Sequence, residues 1–336
     1  MIPGLERYFS ILDGKATAKY LIAKCTPATP EKTLEKMWEV HAGIKATFQK
    51  MLEKNKVSDE IPDYSYLDLK IDILKKMLKN CAFCERRCGI NRYKTAGYCG
   101  CKVESYYSSE FLHLGEEPEL IPSHTIFFNR CTFSCVYCQN YDIVLAHTGN
   151  PAMPERLAEA IFRRSLQGSR NVNFVGGNPD QHAHTILMVM KASSVNLPMV
   201  WNSNMYHSKE LAEIIEDVVD VFLADFRYGN NTCAKRLSNV NNYWEVVTRN
   251  FKSAYENSEM IIRHLILPGH LECCSEPILR WIADNLGQSV RFNLMFQYYP
   301  TYKAYEYPDI SRRLTYEEKK RSIELVERYG LINVIR

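Results

Sequence analysis

No apolar run in this 336-residue chain reaches the roughly 20 residues that a membrane-spanning helix needs. The opening MIPGLERYFS has no apolar core of the kind a secretory signal carries, so a cytoplasmic location is expected. A dominant charge of one sign is also missing. Lys and Arg number 42 against 39 Asp and Glu, spread along the chain for a net +3. That removes the electrostatic ground for a nucleic-acid or membrane-surface partner. No tandem repeat or low-complexity segment is visible. With 46% hydrophobic residues the chain can bury a full core, either as one large domain with an appendage or as two modest domains.

What is abundant is cysteine. Twelve are present, eight of them between Cys81 and Cys138. Disulfides do not persist in a reducing compartment, so clustered thiols in a chain without an export signal point to metal ligation or catalysis. Cys25 and Cys233 stand apart from the clusters and read as small buried hydrophobes.

The chain divides into three stretches by pattern. Residues 1–80 read as a lysine-rich helical extension. Thr29-Pro30-Glu31 has the chemistry of a helix start, and Leu34, Met37, Trp38, Ile44, Phe48, Met51 and Leu52 follow at helical spacing. A second helical stretch, Leu67 to Leu78, leads into a cysteine-rich, metal-binding segment at 81–120. From 121 to 336, short β-like runs (125–129, 171–177, 197–203, 219–226, 259–267 and 290–298) alternate with amphipathic helical stretches. Strand and helix alternating six times predict an α/β fold: a partial (β/α)6 TIM-like barrel with a parallel sheet and helices outside. In such folds, reactive residues sit at the C-terminal ends of the strands.

Directly after the first of these strands comes RCTFSCVYCQN. Cys131, Cys135 and Cys138, separated by three and then two residues, can wrap one face of a 4Fe–4S cubane and leave its fourth iron open. An open coordination position is what a catalytic metal site keeps for its substrate. The alternatives are structural zinc, which wants four ligands, and a chance grouping.

This loop resembles that of the radical S-adenosylmethionine (SAM) superfamily. Its wider context is similar to proteins like pyruvate formate-lyase activating enzyme, through CAFCERRCGINR, HTIFFNRCTFSCVYCQNYDI, NFVGGNPDQH, MVWNSN, FLADFRYG, AKRLSN, RHLILPGH and LMFQYYPTYKA. The resemblance covers about Cys81 to the C-terminus. It implies an enzyme in which SAM binds the open iron and is cleaved reductively, with an electron donor such as a ferredoxin or flavodoxin as partner. The 5′-deoxyadenosyl radical so formed removes a hydrogen atom from the substrate.

The resemblance also assigns cofactor-binding residues. Tyr137 would stack near the adenine, and Gly176 and Gly177 would let backbone approach the SAM amino group. Asn178 stands where a glutamate is usual, which leaves that contact without its charge assistance. Asn202 and Asn204, then Asp225 and Arg227, then Arg263 and His264 lie at later strand ends, with amides suited to hydroxyls and guanidinium to carboxylate. Ordinary turn chemistry, ion pairing and core packing are the plain alternatives for these residues. Cys273, Cys274 and Tyr298 are candidate catalytic groups, the two cysteines as hydrogen donors or an extra ligand.

A second constellation, Cys81, Cys84, Cys88 and Cys99 with Cys101 as alternative, has enough thiols for zinc or for a fully ligated iron–sulfur cluster. Three functions remain open to the residues. One is hydrogen abstraction from a glycine of a partner protein, as in the activating enzymes. Another is modification of a small molecule, peptide or RNA, including methylation, with a second metal centre or cobalamin, although no cobalamin-binding domain is recognisable. The third is a non-catalytic iron–sulfur electron carrier, against which the three-cysteine loop and the GGNP turn both argue.

Overall fold

The computed structural model describes residues 2–55 and 60–335. Among them, nine strands form one sheet: β1 Tyr106–His113, β2 Ser123–Phe128, β3 Asn150–Pro151, β4 Asn171–Gly176, β5 Met199–Ser203, β6 Val221–Asp225, β7 Glu259–Leu265, β8 Arg291–Met295 and β9 Val334–Ile335. The spatial order is β3-β1-β2-β4-β5-β6-β7-β8-β9. From β2 to β9 every pairing is parallel, whereas β1 runs antiparallel to β2 and β3. The six expected strands are therefore the parallel run β2 to β8, and the partial barrel is borne out. Both ends of the sheet stay open.

Alternation along these strands builds two separate cores. Val172, Phe174, Trp201, Phe222, Ala224, Ile262, Phe292 and Leu294 face outward into the helices. Val200, Val221, Leu223 and Ile261 face inward and meet Leu5, Tyr8 and Leu120. The inward set is closed at the N-terminal end of the strands by α1 (Glu6–Leu12). There the Glu259 carboxylate accepts from the Arg7 and Tyr8 N–H groups at 2.6 and 2.7 Å.

The helices α2 (Lys19–Cys25), α3 (Leu34–Glu53) and α4 (Tyr66–Met77) share the outer core with the barrel helices. Helix α3 starts one turn later than Thr29-Pro30-Glu31 suggests, with the Thr33 hydroxyl accepting from the Lys36 N–H. The chain just before is held extended, because Pro27 bridges to Ser65 and the Ala28 N–H donates to the Tyr64 carbonyl at 3.0 Å.

One buried ion pair fastens this helical layer to the barrel. Lys70 Nζ donates to Asp217 Oδ2 at 2.9 Å, to the Ile214 carbonyl at 3.0 Å, and sits 2.8 Å from His41 Nε2. Neither side chain of the pair is more than 1% exposed. Removing one partner of such a pair strands the other charge away from water. Lys70→Ala is therefore expected to lower stability by about 3–5 kcal/mol, read by denaturant unfolding. Unchanged stability would show that the pair does not tie the two layers.

Candidate active site

The C-terminal strand ends surround one cavity of about 340 Å³, a size suited to a small-molecule ligand. The loop after β2 enters it with Arg130 in the left-handed region at φ 73°, and Cys131, Cys135 and Cys138 all line the cavity. The loop backbone is pinned from two sides. Ser134 and Val136 donate to the carbonyls at the end of α5 (Asn231–Ser238), at 3.1 and 2.9 Å, and Lys303 donates to the Val136 carbonyl at 2.9 Å.

The sulfurs have their own partners. Ser238 Oγ lies 2.8 Å from Cys135 Sγ, the Phe133 N–H donates to Cys131 Sγ at 3.3 Å, and Asn204 Nδ2 lies 3.7 Å from the same sulfur. A hydrogen-bonded relay runs from Tyr137 to Tyr228 at 2.7 Å and on to Ser238 at 2.5 Å. Burial pushes the Cys131 thiol well up and that of Cys138 to about 12, with Cys135 adding to both. Thiolates here need compensating positive charge. Arg227 supplies some, and its field lowers both groups.

Gly176 and Gly177 end β4 against this loop. A Cβ on Gly176 would lie 2.0 Å from the Phe128 carbonyl oxygen, and one on Gly177 would lie 1.7 Å from that of Arg130. Both contacts are backbone, so neither can yield by a rotamer change. The glycines are needed first for the close approach of β4 to the cysteine loop.

Across the cavity, Asp225 bridges two guanidinium groups. Arg263 Nε donates to Oδ1 at 2.8 Å and Arg227 Nη2 to Oδ2 at 2.5 Å, while Arg263 Nη2 reaches Asn202 Oδ1 at 2.6 Å. Burial alone would raise the Asp225 carboxyl, but Arg263 and Arg227 hold it below its ordinary value. Glu116 completes the wall, 3.4 Å from Arg263 Nη1. Burial raises its carboxyl to about 7 against the pull of Arg263. Sequence reading passed over Glu116; its signal was the acid run EEPE, too polar for the apolar flanks around it.

A family profile described as the Radical SAM superfamily matches residues 125–282, the stretch that builds this cavity. The chain belongs to the radical SAM superfamily. An uncharacterized protein of Methanocaldococcus jannaschii is 46% identical over 342 residues, 97% of this chain and 98% of that one. Among solved structures, SuiB of Streptococcus suis bound to S-adenosylmethionine aligns with TM-score 0.46 and 15% identity, over 59% of this chain and 45% of SuiB. A domain of pyruvate-formate lyase-activating enzyme from Bacteroides vulgatus aligns with TM-score 0.34 and 15% identity, over 54% of this chain and 89% of that domain.

Radical SAM enzymes hold a 4Fe–4S cluster and SAM, and the residues present fit both. Three thiols share one cavity, and Arg227 Nε beside them is buried without a hydrogen-bond partner among the described residues. Tyr137, Gly176, Gly177, Asn178, Asn202, Asn204, Asp225, Arg227 and Arg263 all line this radical SAM cavity with the three cysteines. His264 does not. It follows Arg263 on β7, so strand alternation turns it to the helix side, where its ring nitrogens meet the Phe226 carbonyl at 2.7 Å and Ser275 Oγ at 2.9 Å.

Asn178 is on the wall but occupied. Its oxygen accepts from the Asn204 N–H at 3.1 Å and Ser203 Oγ at 3.4 Å, and its nitrogen faces Gln181, which ties the β4 turn to the β5 turn. Tyr298 is buried, donates to the Ile310 carbonyl at 2.6 Å and meets Tyr137 edge to face, outside the lining. Cys273 and Cys274 also lie outside it, beside Cys233.

The other cysteine set packs directly behind the loop. Arg86 Nε donates to the Thr132 carbonyl at 2.7 Å and stacks on Tyr98, whose hydroxyl lies 2.7 Å from Ser134 Oγ. Cys88 and Cys99 act electrostatically on Cys81, and Cys99 and Cys81 on Cys84. Cys101 is turned toward His182, 3.9 Å away.

Proposed function

We propose that this chain binds SAM across the cavity between the cysteine loop and the Asp225 pair of arginines, and abstracts hydrogen from a glycine of a partner protein. The convergence of three thiols, the glycine turn and Arg227 in one 340 Å³ cavity carries the reading. When bound, a 4Fe–4S cluster supplies the electron that breaks the S–C5′ bond of SAM, giving methionine and a 5′-deoxyadenosyl radical. Arg227 holds the SAM carboxylate through its unpartnered Nε edge, and Asp225 keeps both guanidinium groups aimed inward. Glu116 accepts from the amino group or the ribose, the part that Asn178 cannot play with its oxygen already occupied.

A glycine-bearing loop as substrate is supported by the rim. Tyr141 follows the lining residue Asn140 and stacks on Tyr302 at 5.0 Å, with Tyr299 and Tyr305 exposed on the same loop as Tyr302. Tyrosines of this kind offer flat apolar area plus a hydroxyl to peptide backbone. A ferredoxin or flavodoxin is the expected electron donor. Anaerobic turnover with SAM, a low-potential reductant and glycine peptides deuterated at Cα should give methionine and 5′-deoxyadenosine that carries deuterium. S-adenosylhomocysteine as the main product would overturn abstraction and favour methyl transfer.

Cys81, Cys84, Cys88 and Cys99 are proposed to hold a second iron–sulfur cluster. Tetrahedral zinc at about 2.3 Å from each sulfur requires thiolates about 3.8 Å apart. Among the described residues, no three of these four sulfurs lie within 4.8 Å of one another. Loss of half the iron in Cys81→Ala/Cys84→Ala is the expected result, and unchanged iron sinks this assignment.

A further inference from the structure

The thiol taken from sequence as a space-filler, Cys233, belongs to a different grouping. Among the described residues, the one set of three His, Cys or acidic ligand atoms that all lie within 4.8 Å of one another is Cys233, His270 and Cys273. Cys233 Sγ is 3.8 Å from Cys273 Sγ, which is 3.9 Å from Cys274 Sγ. Sulfurs about 2.3 Å from one tetrahedral zinc stand about 3.8 Å apart. The spacing therefore matches a mononuclear ion and is too long for an S–S bond, which is about 2.05 Å.

The histidine is prepared as a ligand. Its Nδ1 lies 2.9 Å from the Pro268 carbonyl, which fixes the proton on that nitrogen and leaves the Nε2 lone pair free for a metal. Arg236 Nη2 lies 3.2 Å from Nε2 and also pairs with Asp309. It can turn wholly to Asp309 when Nε2 is taken, and its charge offsets that of several thiolates.

The backbone around the group is held close. Asn230 caps α5 through the Cys233 N–H at 2.8 Å and donates to the Cys273 carbonyl at 2.7 Å. A Cβ on Gly229 would lie 2.6 Å from the Cys274 carbonyl oxygen, so the two loops meet backbone to backbone. His270 is buried and Cys273 exposed, so an ion can enter from solvent.

We propose that Cys233, His270 and Cys273 bind one structural zinc ion, with the Cys274 thiol, 3.9 Å from Cys273 Sγ, turning in to close the fourth position. This Cys₃His site joins the loops after β6 and β7. Cys233 lies six residues beyond Arg227, in the first turn of the helix that follows β6, so the ion braces the strand end that presents Arg227 to the cavity.

The test uses the iron-loaded full chain, purified anaerobically. Metal analysis should find one zinc per chain besides the iron, and Cys233→Ala/Cys273→Ala should lose the zinc while iron and sulfide stay at the wild-type level. Cys81→Ala/Cys84→Ala should keep it. After chelation, cobalt(II) added to the wild type should give the strong near-ultraviolet absorption of thiolate–cobalt bonds, absent in the Cys233/Cys273 variant. Zinc retained by that variant overturns the proposal. So does a wild type that takes up neither zinc nor cobalt, or in which Cys233 and Cys273 prove to be joined as a disulfide.

Discussion

Replacing Cys131, Cys135 and Cys138 together by Ala should remove one cluster's complement of iron and sulfide and abolish SAM cleavage. The three sulfurs line one cavity and their loop is pinned by α5 and Lys303 through backbone bonds, so the substitution deletes ligands without releasing the loop. The effect should exceed the roughly 10–100-fold that loss of an outer-shell partner costs at a metal site. Ser238→Ala, which removes the hydroxyl 2.8 Å from Cys135 Sγ, supplies that comparison. Iron analysis and quantitation of 5′-deoxyadenosine read both variants. A triple variant with full iron content that still cleaves SAM would remove the basis for the site described above.

Gly177→Val should lose iron as well as SAM. From sequence, a side chain at this position is expected to fill the space of the methionine moiety and leave the cluster assembled. The structure moves the clash elsewhere, because a Cβ here lies 1.7 Å from the Arg130 carbonyl oxygen and 2.4 Å from its carbon. Those atoms precede Cys131 directly, so β4 and the cysteine loop must separate to make room. Forcing extra atoms into packed structure costs about 1–3 kcal/mol or more, and here that displacement falls on the ligand loop. Iron content and equilibrium SAM binding should therefore fall together in reconstituted protein. A variant that keeps its iron and loses only SAM would place the clash in the space of the methionine moiety instead. One that keeps both would take the turn out of the site.

Much of this architecture could be read from short-range pattern. The runs around 171–177, 219–226 and 259–267 alternate with amphipathic helices, and a parallel sheet follows because each strand needs a crossover to reach its neighbour. Strand β1 was missed because one of its faces is open to solvent and YYSSEFLH carries no strong apolar alternation. The start of α3 was misplaced because a long-range bridge, Pro27 to Ser65, holds the chain that local capping chemistry would have made helical.

The same division runs through the site. By itself the sequence determined the cysteine loop, since three ligands within eight residues are already neighbours whatever the rest of the chain does. It also determined the strand ends that line the cavity, because a parallel sheet places them on one rim. Only the tertiary structure decided that Arg263 faces the cavity while His264 faces Ser275, since the face a strand turns inward depends on what packs on each side. Only it brought Glu116 to Arg263, 147 residues away, and Cys233 to Cys273, 40 residues away. Contacts at such separations leave no period in the sequence; they arise when the sheet closes its loops over one another.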